Sequence, residues 1–213
     1  MSKVVVFGAA GQAGRRIIAE AAARGHEVTA VARRPETAPT FGNGVAVVAG
    51  DVTSAESVGA LAKDADVLLT AAGDHGRPLY TAIAETLVGA VAGLPAPAPR
   101  IIHLGGGATL TTPDGTRFLD LPSFPAEYFE VAAGQADALD IYRASSDITW
   151  TYVSPPPINF HVGERTGHYR TGLDQPVTGA DGQATISYED LAVAIVDEIE
   201  RPQFRNTRFT AGY

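Results

Sequence analysis

The chain contains no cysteine. Disulfides, thiolate metal sites and a cysteine nucleophile are therefore excluded, and the composition fits a cytoplasmic protein. Lysine is nearly absent as well: Lys3 and Lys63 are the only two in 213 residues. Positive charge is sparse in general, with 16 Lys and Arg against 24 Asp and Glu and a formal net charge of −8. Nucleic-acid binding depends on clustered cations that neutralise phosphates, so no such partner is expected. No apolar run reaches the roughly 18–20 residues of a membrane-spanning helix, and no membrane association is expected. Met1-Ser2-Lys3 leads directly into Val4-Val5-Val6-Phe7, too short for the apolar region of a secretory leader, so no removed leader is expected.

What is present is an ordinary globular composition, 45% hydrophobic and 19% charged. One domain spanning residues 1–213 is expected, with 155–213 forming a small lobe on the substrate side. Short β-branched runs alternate with helical stretches. Strands are expected at Lys3–Phe7, Glu27–Ala32, Val45–Ala49, Asp66–Thr70, Arg100–Leu104 and Ile148–Val153. Helices are expected at Ala13–Arg24, stopped by Gly25, at Pro78–Ala92 and at Ala126–Ser145. Thr53-Ser54-Ala55-Glu56 reads as a capping box opening a short helix that ends near Lys63. Beyond Pro155-Pro156-Pro157 the pattern changes. Gly167–Thr178 resembles a strand pair, Ser187 caps a helix over Tyr188–Glu200 with Asp190 at the capping-box position, and Asn206–Thr210 closes as a strand. Alternating strands and helices imply right-handed crossovers and an α/β fold with a doubly wound parallel sheet.

The first strand runs into Gly8-Ala9-Ala10-Gly11-Gln12-Ala13-Gly14. The first glycine permits a tight turn, the second lets backbone approach a pyrophosphate, and the third lets helix and sheet pack closely. The phosphates would sit at the positive end of the helix that begins near Gln12 and Ala13. A Rossmann-like dinucleotide site is therefore expected on Gly8, Gly11, Gln12, Ala13 and Gly14. The end of strand two chooses the cofactor. An NAD site usually carries Asp or Glu there to hold the ribose 2′-hydroxyl. This chain has Ala32-Arg33-Arg34-Pro35, with no carboxylate before Glu36. A guanidinium suits a 2′-phosphate, so NADP(H) is favoured over NAD(H), with Arg33 in that role, Arg34 as helper and Arg15 as a second candidate. Ligands lie outside the carboxyl ends of parallel strands. Asp51 and Val52 would border the adenine, Asp51 being equally readable as a loop cap. Ala71, Ala72 and Gly73 would lie against the ribose. Gly105, in Gly105-Gly106-Gly107, falls near the nicotinamide, and Pro155 borders the same slot.

The GxxGxxG spacing resembles the extended and atypical branches of the short-chain dehydrogenase superfamily. That resemblance implies a Ser after strand five and a Tyr-x-x-x-Lys on the next helix, and the chain departs from both. Gly105-Gly106-Gly107-Ala108 carries no serine. Four residues beyond Tyr128 and Tyr142 stand Ala132 and Ser146, and no lysine follows Lys63. An unassisted tyrosine, with a pKa near 10, is a poor acid at neutral pH. Ordinary alcohol dehydrogenation and sugar epimerisation are not expected.

Five segments carry a closer resemblance: Gly8–Gly14, Val31-Ala32-Arg33, Ser154-Pro155-Pro156, Thr166-Gly167-His168-Tyr169 and Ile186-Ser187-Tyr188-Glu189-Asp190-Leu191-Ala192. They are similar to the NAD(P)H-binding family, which includes candidate NADH-flavin reductases, biliverdin reductase B-type proteins and NmrA-like proteins. The resemblance implies hydride transfer from the nicotinamide to a planar acceptor such as flavin or quinone. That reaction asks for orientation more than for a dedicated acid. Alternatively it implies a non-catalytic NADP(H)-binding sensor with a protein partner. Pro155–Ile158 would border the acceptor slot, with Phe124, Tyr128 and Phe129 as aromatic walls or as core. Catalytic candidates are His75, at the mouth after strand four, His103, either buried or near the nicotinamide, and Tyr128. His161 and His168 are expected to be exposed. No pair of histidines has metal-ligand spacing, and no metal is expected.

Overall fold

The computed structural model describes residues 1–42, 44–73, 76–157 and 159–213. Strand β1 (Lys3–Phe7) explains the layering. Val4 and Val6 belong to one apolar cluster with Ile17, Ile18 and Ala21, and Val5 and Phe7 to another with Val58, Ile83 and Leu87. A strand that is apolar on both faces has to be covered on both. Helices α1 (Gln12–Ala23) and α5 (Tyr188–Glu200) cover the first face. Helices α2 (Ala55–Ala62), α3 (Arg77–Ala92) and α4 (Phe129–Ala144) cover the second.

The remaining strands are β2 (Glu27–Ala32), β3 (Val45–Ala49), β4 (Val67–Thr70), β5 (Arg100–Leu104), β6 (Trp150–Val153), β7 (Asn159–His161), β8 (Arg170–Gly172), β9 (Thr185–Ser187) and β10 (Thr207–Gly212). Among the described residues the main sheet has the order β3-β2-β1-β4-β5-β6-β10-β8. Its pairings are parallel except that β8 runs antiparallel to β10. This is the Rossmann-like α/β arrangement that the alternating pattern implies. Strand order reverses between β1 and β4, where a doubly wound sheet opens a crevice.

Apart from element ends shifted by one or two residues, the details differ from the sequence-based expectation at four places. The cap of α2 is Ser54, whose hydroxyl accepts the Ser57 N–H at 3.3 Å. Thr53 is instead held by the Asp51 carboxylate, which accepts both its N–H (2.9 Å) and its hydroxyl (2.8 Å). The stretch expected as one helix from Ala126 opens with a 3-10 turn over Ala126–Tyr128, and α4 proper starts at Phe129. Residues 167–178 form no strand pair. Arg170–Gly172 instead takes the free edge of β10, pairing with Thr210–Gly212. The short parallel ladder of β7 with β9 has no counterpart in the sequence reading, because three residues are too few to show a period.

At α5 the Ser187 hydroxyl accepts the Asp190 N–H at 3.0 Å, as a cap should. The reciprocal half of the box is replaced. The Asp190 carboxylate accepts from the Thr166 hydroxyl (2.6 Å), the Gly167 N–H (2.8 Å) and the Tyr213 hydroxyl (2.7 Å). One buried ion pair ties the sheet to α5. Arg100 Nη1 donates to Glu198 Oε1 at 2.6 Å, and Glu198 also accepts the N–H groups of Gln203 and Phe204. Among the described residues no helix is long and apolar enough to cross a membrane.

Candidate functional site

The crevice is built by the turn between β1 and α1. Gly8 has φ of +87°, and a Cβ there would stand 2.7 Å from the Ala71 carbonyl carbon after β4. A Cβ on Gly14 would stand 2.2 Å from the Gly8 carbonyl oxygen, and one on Gly11 would lie 3.3 Å from the same atom. Turn, helix and neighbouring strand are therefore drawn together to distances that only glycine permits at positions 8 and 14. The Gly11 N–H donates to the Gly8 carbonyl at 3.0 Å. Gly11 is the N-cap of α1 and supplies no capping side chain. The first N–H groups of the helix, those of Gln12, Ala13 and Gly14, are left in want of an acceptor. A helix start of this kind, at the positive end of the helix dipole, suits a phosphate. Gln12 is itself pinned, its side-chain oxygen accepting from Arg16 (2.8 Å) and from Arg15.

A cavity of about 240 Å³ opens at this turn. It brings together Gly8 to Gly11, Val31 to Arg34, Gly50 to Val52 and Ala71 to Gly73, with Phe7 and Leu79. Thus Gly8, Gly11, Arg33, Arg34, Asp51, Val52, Ala71, Ala72 and Gly73 share one space at the carboxyl ends of β1 to β4. Gln12, Ala13 and Gly14 stand beside it at the helix start. Arg33 and Arg34 are exposed at the tip of β2. The Thr53 N–H and hydroxyl, with a smaller contribution from the Arg33 guanidinium, hold the Asp51 carboxyl below the usual carboxylate range. Its charge is therefore tied to its own loop.

Gly105 and Pro155 do not line this cavity. They stand further along the sheet, after β5 and β6. A Cβ on Gly105 would fall 2.0 Å from the Tyr152 ring, one on Gly106 would fall 1.6 Å from Gln135 Oε1, and one on Gly107 would fall 2.4 Å from the Pro155 carbonyl oxygen. The three glycines are thus the meeting point of β6, α4 and the proline turn.

His103 is fully buried within β5, away from the cavity lining. Its Nδ1 lies 3.0 Å from the Tyr142 hydroxyl, and its ring stacks on Tyr152 with centroids 5.1 Å apart. Burial alone depresses its pKa to about 3, so the imidazole is neutral at physiological pH. Tyr128 is 60% exposed at the start of α4, and Phe129 beside it is also exposed. Phe124 packs on the small cluster of Leu119, Ala132 and Ala136. His75 and Ile158 lie outside the described residues. His161 and His168 are exposed, and among the described residues no three His, Asp or Glu side chains gather as a metal site would require. Gln135 escaped the sequence reading, since a lone polar residue among alanines on a helix carries no signal.

Comparison with known proteins agrees with this geometry. A family model described as NAD(P)H-binding matches residues 8–202. The uncharacterized protein YwnB of Bacillus subtilis (strain 168) is 34% identical over 210 residues, covering 98% of this chain and 97% of YwnB. A solved structure from Burkholderia pseudomallei, named as a candidate exported protein, is 36% identical with full coverage of both chains and a TM-score of 0.89. A candidate NADH-flavin reductase from Streptococcus pneumoniae TIGR4 is 31% identical, covering 100% of this chain and 99% of its own, with a TM-score of 0.86. The glycine turn, the open helix start and the whole-length similarity converge, and the chain belongs to the NAD(P)H-binding family of Rossmann-fold proteins.

Proposed function

We propose that this protein is an NAD(P)H-dependent reductase that passes hydride to a planar acceptor such as a flavin or a quinone, with NADP(H) preferred. The observation that carries the reading is the contrast along the crevice. At one end Gly8, Gly11 and the open start of α1 form a phosphate cradle with two arginines beside it. At the other, Ala71, Ala72, Gly73 and Leu79 leave a smooth wall with no titratable side chain among them.

The N–H groups that open α1 would hold the pyrophosphate, and Arg33, assisted by Arg34, would hold a 2′-phosphate. When bound, the dinucleotide supplies a hydride at its nicotinamide C4. The small residues after β4 would let the ribose lie against backbone, and Gly105 and Pro155 would border the space beyond. Residues 155–213 would form the acceptor side. The acceptor takes the hydride and one proton from water, so no side chain has to deliver one. The contribution of the chain is proximity and exclusion of water. A relative named as a candidate NADH-flavin reductase supports a flavin as acceptor. Use of NADPH would place the protein with the cytoplasmic pool of that cofactor.

The test is oxidation of NADPH in the presence of FMN, riboflavin and simple quinones. Turnover no faster than the uncatalysed rate with all of them would overturn the reading. The same smooth wall is compatible with a sensor of the NmrA-like kind, which would bind NADP(H) without turnover and capture a protein partner in a cofactor-dependent way. Cofactor choice has its own test. A charge-assisted hydrogen bond contributes about 1.5–3 kcal/mol, or roughly ten- to a hundredfold in affinity. Arg33→Asp should weaken NADPH binding by that factor and NADH binding far less. Equal losses would remove Arg33 from the 2′-phosphate.

A further inference from the structure

The dinucleotide reading places an anchor at the β1 turn and leaves the far half of the ligand to the strands that follow in the sheet. From β1 the order runs to β4 and then to β5, so the next carboxyl end is the turn Gly105–Gly107. The side chain that meets this turn is Gln135. At Gly106 an ideal Cβ would lie 1.6 Å from Gln135 Oε1 and 2.5 Å from its Cδ. Gly106 itself has φ −117° and ψ 144°, extended backbone that any residue adopts. With glycine there, the end of the Gln135 side chain lies against the turn, and a Cβ would turn it aside.

The polar groups around this carboxamide have partners. The Tyr152 hydroxyl donates to the Gln135 backbone carbonyl at 2.7 Å. The Thr109 hydroxyl donates to the Gly106 carbonyl at 2.6 Å. The Ser154 hydroxyl pairs with Thr109 at 3.0 Å. The Gln135 carboxamide is half-buried and makes no hydrogen bond among the described residues. Its backbone is held from the other side. A Cβ on the adjacent Gly134 would stand 2.7 Å from the Arg77 carbonyl oxygen, so α4 is pressed onto the start of α3, and the Arg77–Asp137 ion pair (2.7 Å) fastens the contact. A fixed helix thus presents two N–H donors and a carbonyl acceptor at the end of β5, without a protein partner among the described residues.

We propose that Gln135 is a specificity-determining residue of the redox end of the crevice, and that its carboxamide pairs with an amide-type edge, a carbonyl beside an N–H, on the bound ligand. The proposal rests on the reductase reading and names its ligand chemistry. A carboxamide matches such an edge at two points, whereas a quinone offers carbonyls alone. The edge has two sources of the same chemistry: the imide of a flavin-like acceptor and the carboxamide of the nicotinamide.

Calorimetric titration separates them. The titrants are NADP+, 2′-phospho-ADP-ribose, which lacks the nicotinamide, and riboflavin added to NADP+-saturated protein. The proteins are wild type, Gln135→Leu and Gly106→Ala. Loss of one to two hydrogen bonds corresponds to about a three- to tenfold loss of affinity or more. If the acceptor supplies the edge, Gln135→Leu loses that factor for riboflavin and keeps its NADP+ affinity. If the nicotinamide supplies it, the loss falls on NADP+ and spares 2′-phospho-ADP-ribose. Gly106→Ala displaces the carboxamide without removing it and should reproduce whichever loss is seen. Affinities within twofold of wild type for all three ligands in Gln135→Leu, or in Gly106→Ala, would overturn the assignment. A wild-type chain that bound none of the three would overturn the reductase reading, and this one with it.

Discussion

Replacing His103 by asparagine should flatten the pH dependence of stability between pH 7 and pH 5. The imidazole is fully buried between Tyr142 and Tyr152, and among the described residues no charged partner offsets its desolvation. Its pKa falls from 6.5 to about 3 in the folded chain. Below pH 6.5 the unfolded chain therefore takes up a proton that the folded chain refuses, and stability falls as the pH falls, at up to about 1.4 kcal/mol per pH unit. The stabilisation is complete above the unfolded value and has gone below the folded one. Integrated from pH 7 to pH 5, the loss is about 2 kcal/mol. The carboxylates held low in the fold, Glu20, Asp51, Asp114, Glu189, Asp190 and Asp197, add their share only below their ordinary range, at still lower pH. Asparagine keeps a polar group near the Tyr142 hydroxyl and cannot titrate. Urea denaturation at pH 7, 6 and 5 measures the slope in each protein, independently of any baseline loss in the variant. Parallel slopes for wild type and His103→Asn would refute the argument, as would an imidazole NMR resonance in β5 that titrates above pH 5.

Gly14→Ala should cost about 2–3 kcal/mol or more, because the clash at 2.2 Å is with the Gly8 backbone and cannot be relieved by turning a side chain; thermal denaturation would show it, with NADP+ affinity falling in parallel. Glu198→Gln should cost about 3–5 kcal/mol by leaving the buried Arg100 charge uncompensated. In a chain of this size that lowers the melting temperature by about 6 °C or more, and a shift below 2 °C would count against the pair.

Much of the fold was legible because period and punctuation agreed. Lys3–Phe7, Glu27–Ala32, Val45–Ala49 and Arg100–Leu104 are strands at the expected boundaries, each being a short apolar run closed by glycine or charge. Legibility failed where partners far along the chain decided the outcome. Arg170–Gly172 is a strand because β10 offers an edge, which no local pattern around residue 170 could disclose. The cap falls on Ser54 while Thr53 is bound to Asp51, a choice between neighbouring hydroxyls that the sequence does not disclose. In the crevice, the residues after β1 to β4 could be placed in advance because sheet topology fixes where they meet, whereas Gly105 and Pro155, after β5 and β6, stand outside its lining. Gln135 could not, since its position depends on Gly134 touching Arg77 and Gly106 making room.

The glycine triplet after β5 has a consequence for sequence drift. Its three positions are each answerable to a different partner: residue 105 to the ring at 152, residue 106 to the carboxamide at 135, and residue 107 to the proline turn at 155. Substitution at one of them is therefore not a local event. A side chain at 106 would have to turn the flexible end of the residue at 135 aside. The two positions are coupled in space although 28 residues and an irregular loop separate them. The proposed 2′-phosphate contact at Arg33 lies outside that pairing. The contacts proposed at Arg33 and at Gln135 thus share no residue, and the glycine turn at Gly8 stands between them in the sheet.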